Sequence, residues 1–97
     1  MTNRSRSIAP EAHEARLLLG RAHAAGGRQD EAVKVLASYI ELVPKHDEAR
    51  KDLAEALAAA GRVAPAIDEM NAYLEARPDD RDAQEARLQW MISVGEQ

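Results

Sequence analysis

The chain has 97 residues, no cysteine and a formal net charge of −4, and twenty of its apolar residues are alanine. That length is one domain, and the lack of cysteine excludes disulfides, thiolate nucleophiles and cysteine-ligated zinc. No stretch approaches the roughly 18 apolar residues of a membrane span, and residues 1–9 hold no apolar signal-peptide core, so a cytoplasmic location is expected. Residues 45–97 carry twelve acids against seven bases, a balance that repels a phosphate backbone, and no nucleic-acid partner is expected.

Residues 1–9, which include Asn3-Arg4-Ser5-Arg6-Ser7, are polar and are predicted to form a disordered tail. The first helix is predicted over 11–25, because Ala15, Leu19, Ala22 and His23 recur at helical spacing and make one apolar stripe. Gly26-Gly27 ends it, since glycine takes the left-handed conformation of a helix terminus without steric cost. Asp30 is read as the N-cap of a second helix over 30–42, whose stripe is Ala32, Leu36, Tyr39, Ile40 and Val43. Pro44 closes that helix by pushing Val43 out of the α region.

A third helix is predicted over 45–60, with Ala49, Leu53, Ala56, Leu57 and Ala60 as its stripe and Gly61 as its stop. The fourth, over 64–76, tolerates Pro65 in its first turn and buries Ala66, Met70, Tyr73 and Leu74. Pro78 then breaks the chain, and Asp79 or Asp80 caps a fifth helix over 80–94.

These elements repeat. Pro10, Pro44 and Pro78 stand 34 residues apart, and a shift of 34 brings Leu19 onto Leu53, Gly27-Arg28 onto Gly61-Arg62, Ala32 onto Ala66 and Tyr39 onto Tyr73. A single domain over 10–97 therefore divides into repeat 1 at about 10–43, repeat 2 at about 44–77 and a capping helix at about 79–94. Such units cannot close a core alone and stack on their neighbours.

The chain resembles the tetratricopeptide repeat, a 34-residue helix-turn-helix unit patterned W-x2-L-G-x2-Y, A-x3-F, P. Leu19-Gly20, His23, Ala32, Leu36 and Pro44 occupy that pattern in the first repeat, and Leu53-Ala54, Leu57, Ala66, Met70 and Pro78 in the second. The resemblance implies an all-α fold, a right-handed α-solenoid of antiparallel helix pairs with five helices. Arg16 and Arg50 stand in the tryptophan place, and Leu36 and Met70 in the aromatic one. Tyr39 and Tyr73, one turn later, replace the usual alanine. The exchange conserves volume along the seam and predicts a contact from each tyrosine into the following repeat.

The resemblance also implies that the first helix of each repeat lines a concave groove. The residues so placed are Glu14, Leu17, Leu18 and Arg21, then Glu48, Lys51, Asp52 and Glu55, then Asp82, Glu85 and Gln89. Six acids meet two bases there, which favours a basic or amphipathic peptide; the alternative reading is a charged face that is simply solvated. The family's carboxylate clamp for chaperone tails needs Lys, Asn and Arg at places that here hold Leu17, Arg21, Asp52, Asp82 and Ala86. Chaperone-tail binding is therefore disfavoured on charge.

Trp90, Met91, Ile92 and Val94 form an apolar cluster on the last helix. Trp90 is read as cover for the open end of repeat 2, and the cluster as a candidate surface for self-association into a homo-oligomer. No catalytic, cofactor-binding or metal-binding set emerges. His13, His23 and His46 lack joining spacings, with His23 read as a stripe residue and His13 and His46 as exposed. Ser38 and Ser93 have no base nearby in sequence, and Gly26-Gly27 follows a helix where a phosphate loop would follow a strand. The expected function is a non-enzymatic protein-binding scaffold. The alternatives are a structural repeat protein that self-assembles through its terminal helix and an accessory domain of an enzyme.

Overall fold

A computed structural model describes residues 10–95, which form five helices: α1 (Pro10–Ala25), α2 (Gln29–Leu42), α3 (Asp47–Ala59), α4 (Val63–Ala76) and α5 (Arg81–Gly95). No strand occurs among the described residues. The expected disordered tail, 1–9, lies outside them. Each helix packs on the next in sequence, and α1 also reaches α3. This is the all-α helical repeat that the resemblance implies.

Both hairpin turns close in the same way. Gly27 and Gly61 have φ of +83° and +88°. Arg28 N–H donates to His23 O at 2.8 Å and Gly27 N–H to Ala24 O at 3.2 Å, with the counterparts Arg62 to Leu57 at 2.8 Å and Gly61 to Ala58 at 3.0 Å. The left-handed glycine turns the last carbonyls of α1 and α3 onto the N–H groups that follow, leaving few orphan acceptors. Asp30 lies in the first turn of α2, not at its cap, because the chain re-enters the helix directly from Arg28.

The core runs along the stack as two clusters, with Trp90 packed against both. One cluster joins Leu17 to Ala32, Leu36 and Tyr39 of α2 and to Ala49, Leu53 and Ala56 of α3, and a second joins Ala54, Met70, Tyr73, Leu74 and Ala83. Leu36 and Met70, in the place where the family has a ring, are fully buried. A methyl group at Gly20 would lie 2.7 Å from Leu36 Cδ2. The bare glycine is what lets α1 approach α2 against a branched leucine. One repeat on, Ala54 takes the place of Gly20 and shares the second cluster with the unbranched Met70, whose flexible thioether adapts to an extra carbon.

The first helix departs from its expected stripe. Leu19 is 50% exposed, whereas Leu53, its equivalent, is 5% exposed. Ala15 and Ala22 are exposed as well, and Leu17 and Gly20 face the core in their place. The cause is positional: Ala49, Leu53 and Ala56 share a cluster with the helix before them, and among the described residues no helix precedes α1.

Candidate functional site

One arginine ties each hairpin, from the place that holds tryptophan in the resembled repeat. Arg16 Nη1 donates to Ser38 Oγ at 3.1 Å, and Arg50 Nη1 to Glu69 Oε1 at 3.0 Å.

Each tyrosine reaches the N-terminus of the next repeat, as its position predicts. The Tyr39 hydroxyl and His46 Nδ1 are hydrogen-bonded at 2.7 Å, and His46 is the N-cap residue immediately before α3. His46 is therefore half-buried and engaged, not exposed as its sequence context suggests, and His13 is half-buried too. At the next joint Tyr73 donates to Asp80 Oδ2 at 2.5 Å, Lys51 Nζ donates to the same oxygen at 3.0 Å, and Asp80 Oδ1 accepts from Ala83 N–H at 3.1 Å. Asp80 is thus the cap of α5. Those donors, Tyr73 first, hold its carboxyl well below the usual range, at about 2. The same hydrogen bonds raise the Tyr73 hydroxyl and the Lys51 ammonium above their ordinary values. Lys51 also lies over the Tyr73 ring, 5.6 Å from its centre.

A polar cleft of about 350 Å³ opens beside this cluster, lined by Arg21, Glu48, Lys51, Asp52 and Glu55 together with Tyr73, Arg77 and Asp80. Five of the sequence-predicted groove residues thus come together. Glu14 and Leu18 are exposed on α1, and Asp82, Glu85 and Gln89 on α5, away from this cleft. Leu17 belongs to the core at 5% exposure and offers nothing to a partner. It faces inward because α1 buries the side that meets α2 and α3.

Much of the cleft's charge is already matched. Arg21 Nε pairs with Asp52 Oδ2 at 2.7 Å, Lys51 with Asp80 at 3.0 Å, and Arg77 Nη1 with Glu48 Oε2 at 4.0 Å. Glu55 has no ion pair among the described residues, and desolvation by the cleft walls pushes its carboxyl up. Tyr73, Asp80 and Arg77 were not in the sequence-predicted set. The 34-residue register was the available signal for the first two, since it places Asp80 on His46; nothing in the pattern marks Arg77, which follows α4.

Trp90 packs against both core clusters from α5 and is half-buried. Leu88, Met91, Ile92 and Val94 are exposed around it. Among the described residues, no group of His, Asp and Glu is arranged to hold a metal ion, and no helix is long and apolar enough to cross a membrane.

Two family models, both described as tetratricopeptide repeat, match the chain over residues 30–89 and residues 3–47. The chain belongs to the tetratricopeptide repeat family. Tetratricopeptide repeats generally mediate protein–protein interaction or scaffolding and are typically non-enzymatic. No curated protein matches the chain. The places of the tetratricopeptide carboxylate clamp are here occupied by the buried Leu17, the Arg21–Asp52 pair, and Asp82 and Ala86 of α5.

Proposed function

We propose that this tetratricopeptide repeat protein is a scaffold module that holds a basic or amphipathic peptide segment along the face formed by α1, α3 and α5. The observation that carries the reading is Glu55, an acid without an ion-pair partner among the described residues, in a cleft whose other charges are largely matched. Glu14 of α1 and Asp82 and Glu85 of α5, outside the cleft, are exposed acids, and their charge adds to the attraction of a cationic partner for these helices.

Fluorescence anisotropy with a labelled amphipathic Lys/Leu peptide, beside its Glu/Leu counterpart, tests this. The Lys/Leu peptide is expected to bind and the Glu/Leu peptide to fail. Glu55→Lys should weaken binding at least tenfold, whereas Glu31→Lys on the exposed side of α2 should leave it unchanged. Equal binding by both peptides, or equal loss from both variants, overturns the groove.

A second reading is favoured by the exposed Leu88, Met91, Ile92 and Val94: a copy of this chain covers α5, and association of chains is itself the role. Sedimentation of the parent and of Ile92→Glu across concentrations decides it. A concentration-dependent dimer that the variant abolishes supports the reading, and a monomer throughout ends it.

A further inference from the structure

A second cleft, of about 440 Å³, lies where the C-terminal ends of α1 and α3 part, with Leu36 among its lining residues and Ala24, Ala25, Ala56 and Ala59 as small apolar neighbours. Arg21, Asp52 and Glu55 also line it. The Arg21 guanidinium is held by Asp52 at 2.7 Å, so the Glu55 carboxylate is the uncompensated charge.

The 34-residue register allows the same place to be inspected one repeat further on. There Ala56 becomes Trp90, Asp52 becomes Ala86 and Glu55 becomes Gln89. Trp90 packs onto both core clusters from that position. At the second joint the protein thus places a bulky side chain of its own, its last helix offers no acid at these places, and Glu55 stands where Arg21 stood. At the first it keeps the bulk out and carries two acids. The first joint alone keeps the space open, and with Asp52 held by Arg21 it sets one carboxylate, Glu55, beside that space, which suits a side chain with an apolar stem and a cationic head.

We propose that the cleft between α1 and α3, with Leu36 and the alanines as its apolar walls and the Glu55 carboxylate as its anion, is a subsite for one arginine or lysine side chain of a bound protein. The stem lies on Ala24, Ala25 and Ala59, where the absence of larger side chains admits it, and the head meets Glu55. This deepens the groove reading above and rests on it for the identity of the partner as a basic segment.

The test is an amide-resolved NMR titration of the full chain with n-butylguanidinium chloride, beside guanidinium chloride, which lacks the stem, and n-butanol, which lacks the charge. Saturable shifts at Ala24, Ala25, Glu55 and Ala59 are expected with n-butylguanidinium alone. Glu55→Gln should weaken that binding about fivefold, the upper range for one solvent-accessible charge pair. Ala59→Leu, at an exposed position, should abolish it by filling the cleft, and Ala25→Leu should do the same if the first variant folds poorly. Equal shifts with guanidinium chloride, unchanged affinity in the variants, or no saturable shift overturns the subsite. The two readings separate cleanly. A Lys/Leu peptide that binds the parent and Ala59→Leu equally leaves the groove standing and removes the subsite. Saturable n-butylguanidinium binding without peptide binding supports the subsite and removes the peptide.

Discussion

The two repeats, each taken with the joint that follows it, share one frame and solve it with different chemistry. At the first, Tyr39 meets His46, Gly20 admits the branched Leu36, and Ala56 leaves a cleft beside Glu55. At the second, Tyr73 meets an aspartate that also binds Lys51 and caps α5, Ala54 stands with Met70, and Trp90 replaces the small residue. The difference follows the number of neighbours. The first joint is covered on its far side by the whole α3–α4 hairpin, whereas α5 contributes a single fully packed residue, Ala83, and a half-buried indole. Charge-assisted bonds to Asp80 fasten the helix that has the least apolar surface to hold it. The joint with packing to spare is the one that keeps an open cleft.

The largest expected effect removes the side chain at the heart of each joint. Leu36→Ala and Met70→Ala should each cost about 2–5 kcal/mol, since both residues are fully buried and the holes collapse only in part. Leu36→Ala should be the costlier, because the facing Gly20 has no atoms with which to refill the space. Urea titrations followed by circular dichroism give the comparison, and a smaller loss at Leu36 than at Met70 would contradict the tighter packing assigned to the first joint.

Gly20→Ala probes the same contact from the other side. Helix propensity favours alanine by about 1 kcal/mol, but the new methyl would sit 2.7 Å from Leu36 Cδ2 and overpacking costs about 1–3 kcal/mol. A net loss of about 1 kcal/mol is expected. Adding Leu36→Met recreates the Ala54 and Met70 pairing of the second joint and should restore most of it. A stabilised Gly20→Ala single variant would show that the approach of α1 to α2 is not limiting.

What the sequence made legible follows the range of the interaction. Helices and their ends were readable because caps, glycine stops and prolines act within a few residues, and Gly27, Gly61 and Pro44 mark the breaks directly. The repeat then placed Tyr39 and Tyr73 at the joints. The stripe of α1 differs from the expected one because apolar spacing gives the period of a helix and not the face it buries, and Leu19 has no preceding helix among the described residues to cover it as Leu53 has. The acidity of the groove was overdrawn for a related reason. Arg21 with Asp52, and Lys51 with Asp80, are partners 31 and 29 residues apart, so a count of signs along single helices cannot see that they cancel. Glu55 was legible as an acid on the groove face; its lack of a partner was not.

The smallest expected effect is in the pH response of the second joint. The hydrogen bonds to Asp80 hold its carboxyl at about 2 against an ordinary 3.8, so the ionised form is the one the fold prefers. A depressed carboxyl stabilises the folded state fully at pH values above its ordinary value, and the contribution is lost as pH falls through the depressed one. Asp80→Asn keeps a capping side chain but removes the charge that Lys51 and Tyr73 address. Its thermal midpoint should therefore lie below that of the parent by a constant margin near neutral pH, and the margin should shrink between pH 3.8 and about 2. Trp90 fluorescence reports the same loosening locally, because the indole rides on the helix that Asp80 caps. His46→Asn at the first joint removes no carboxylate and should show no such convergence; if both variants converge with the parent alike, the acid response belongs to the whole chain and the two joints do not differ in the way their chemistry implies.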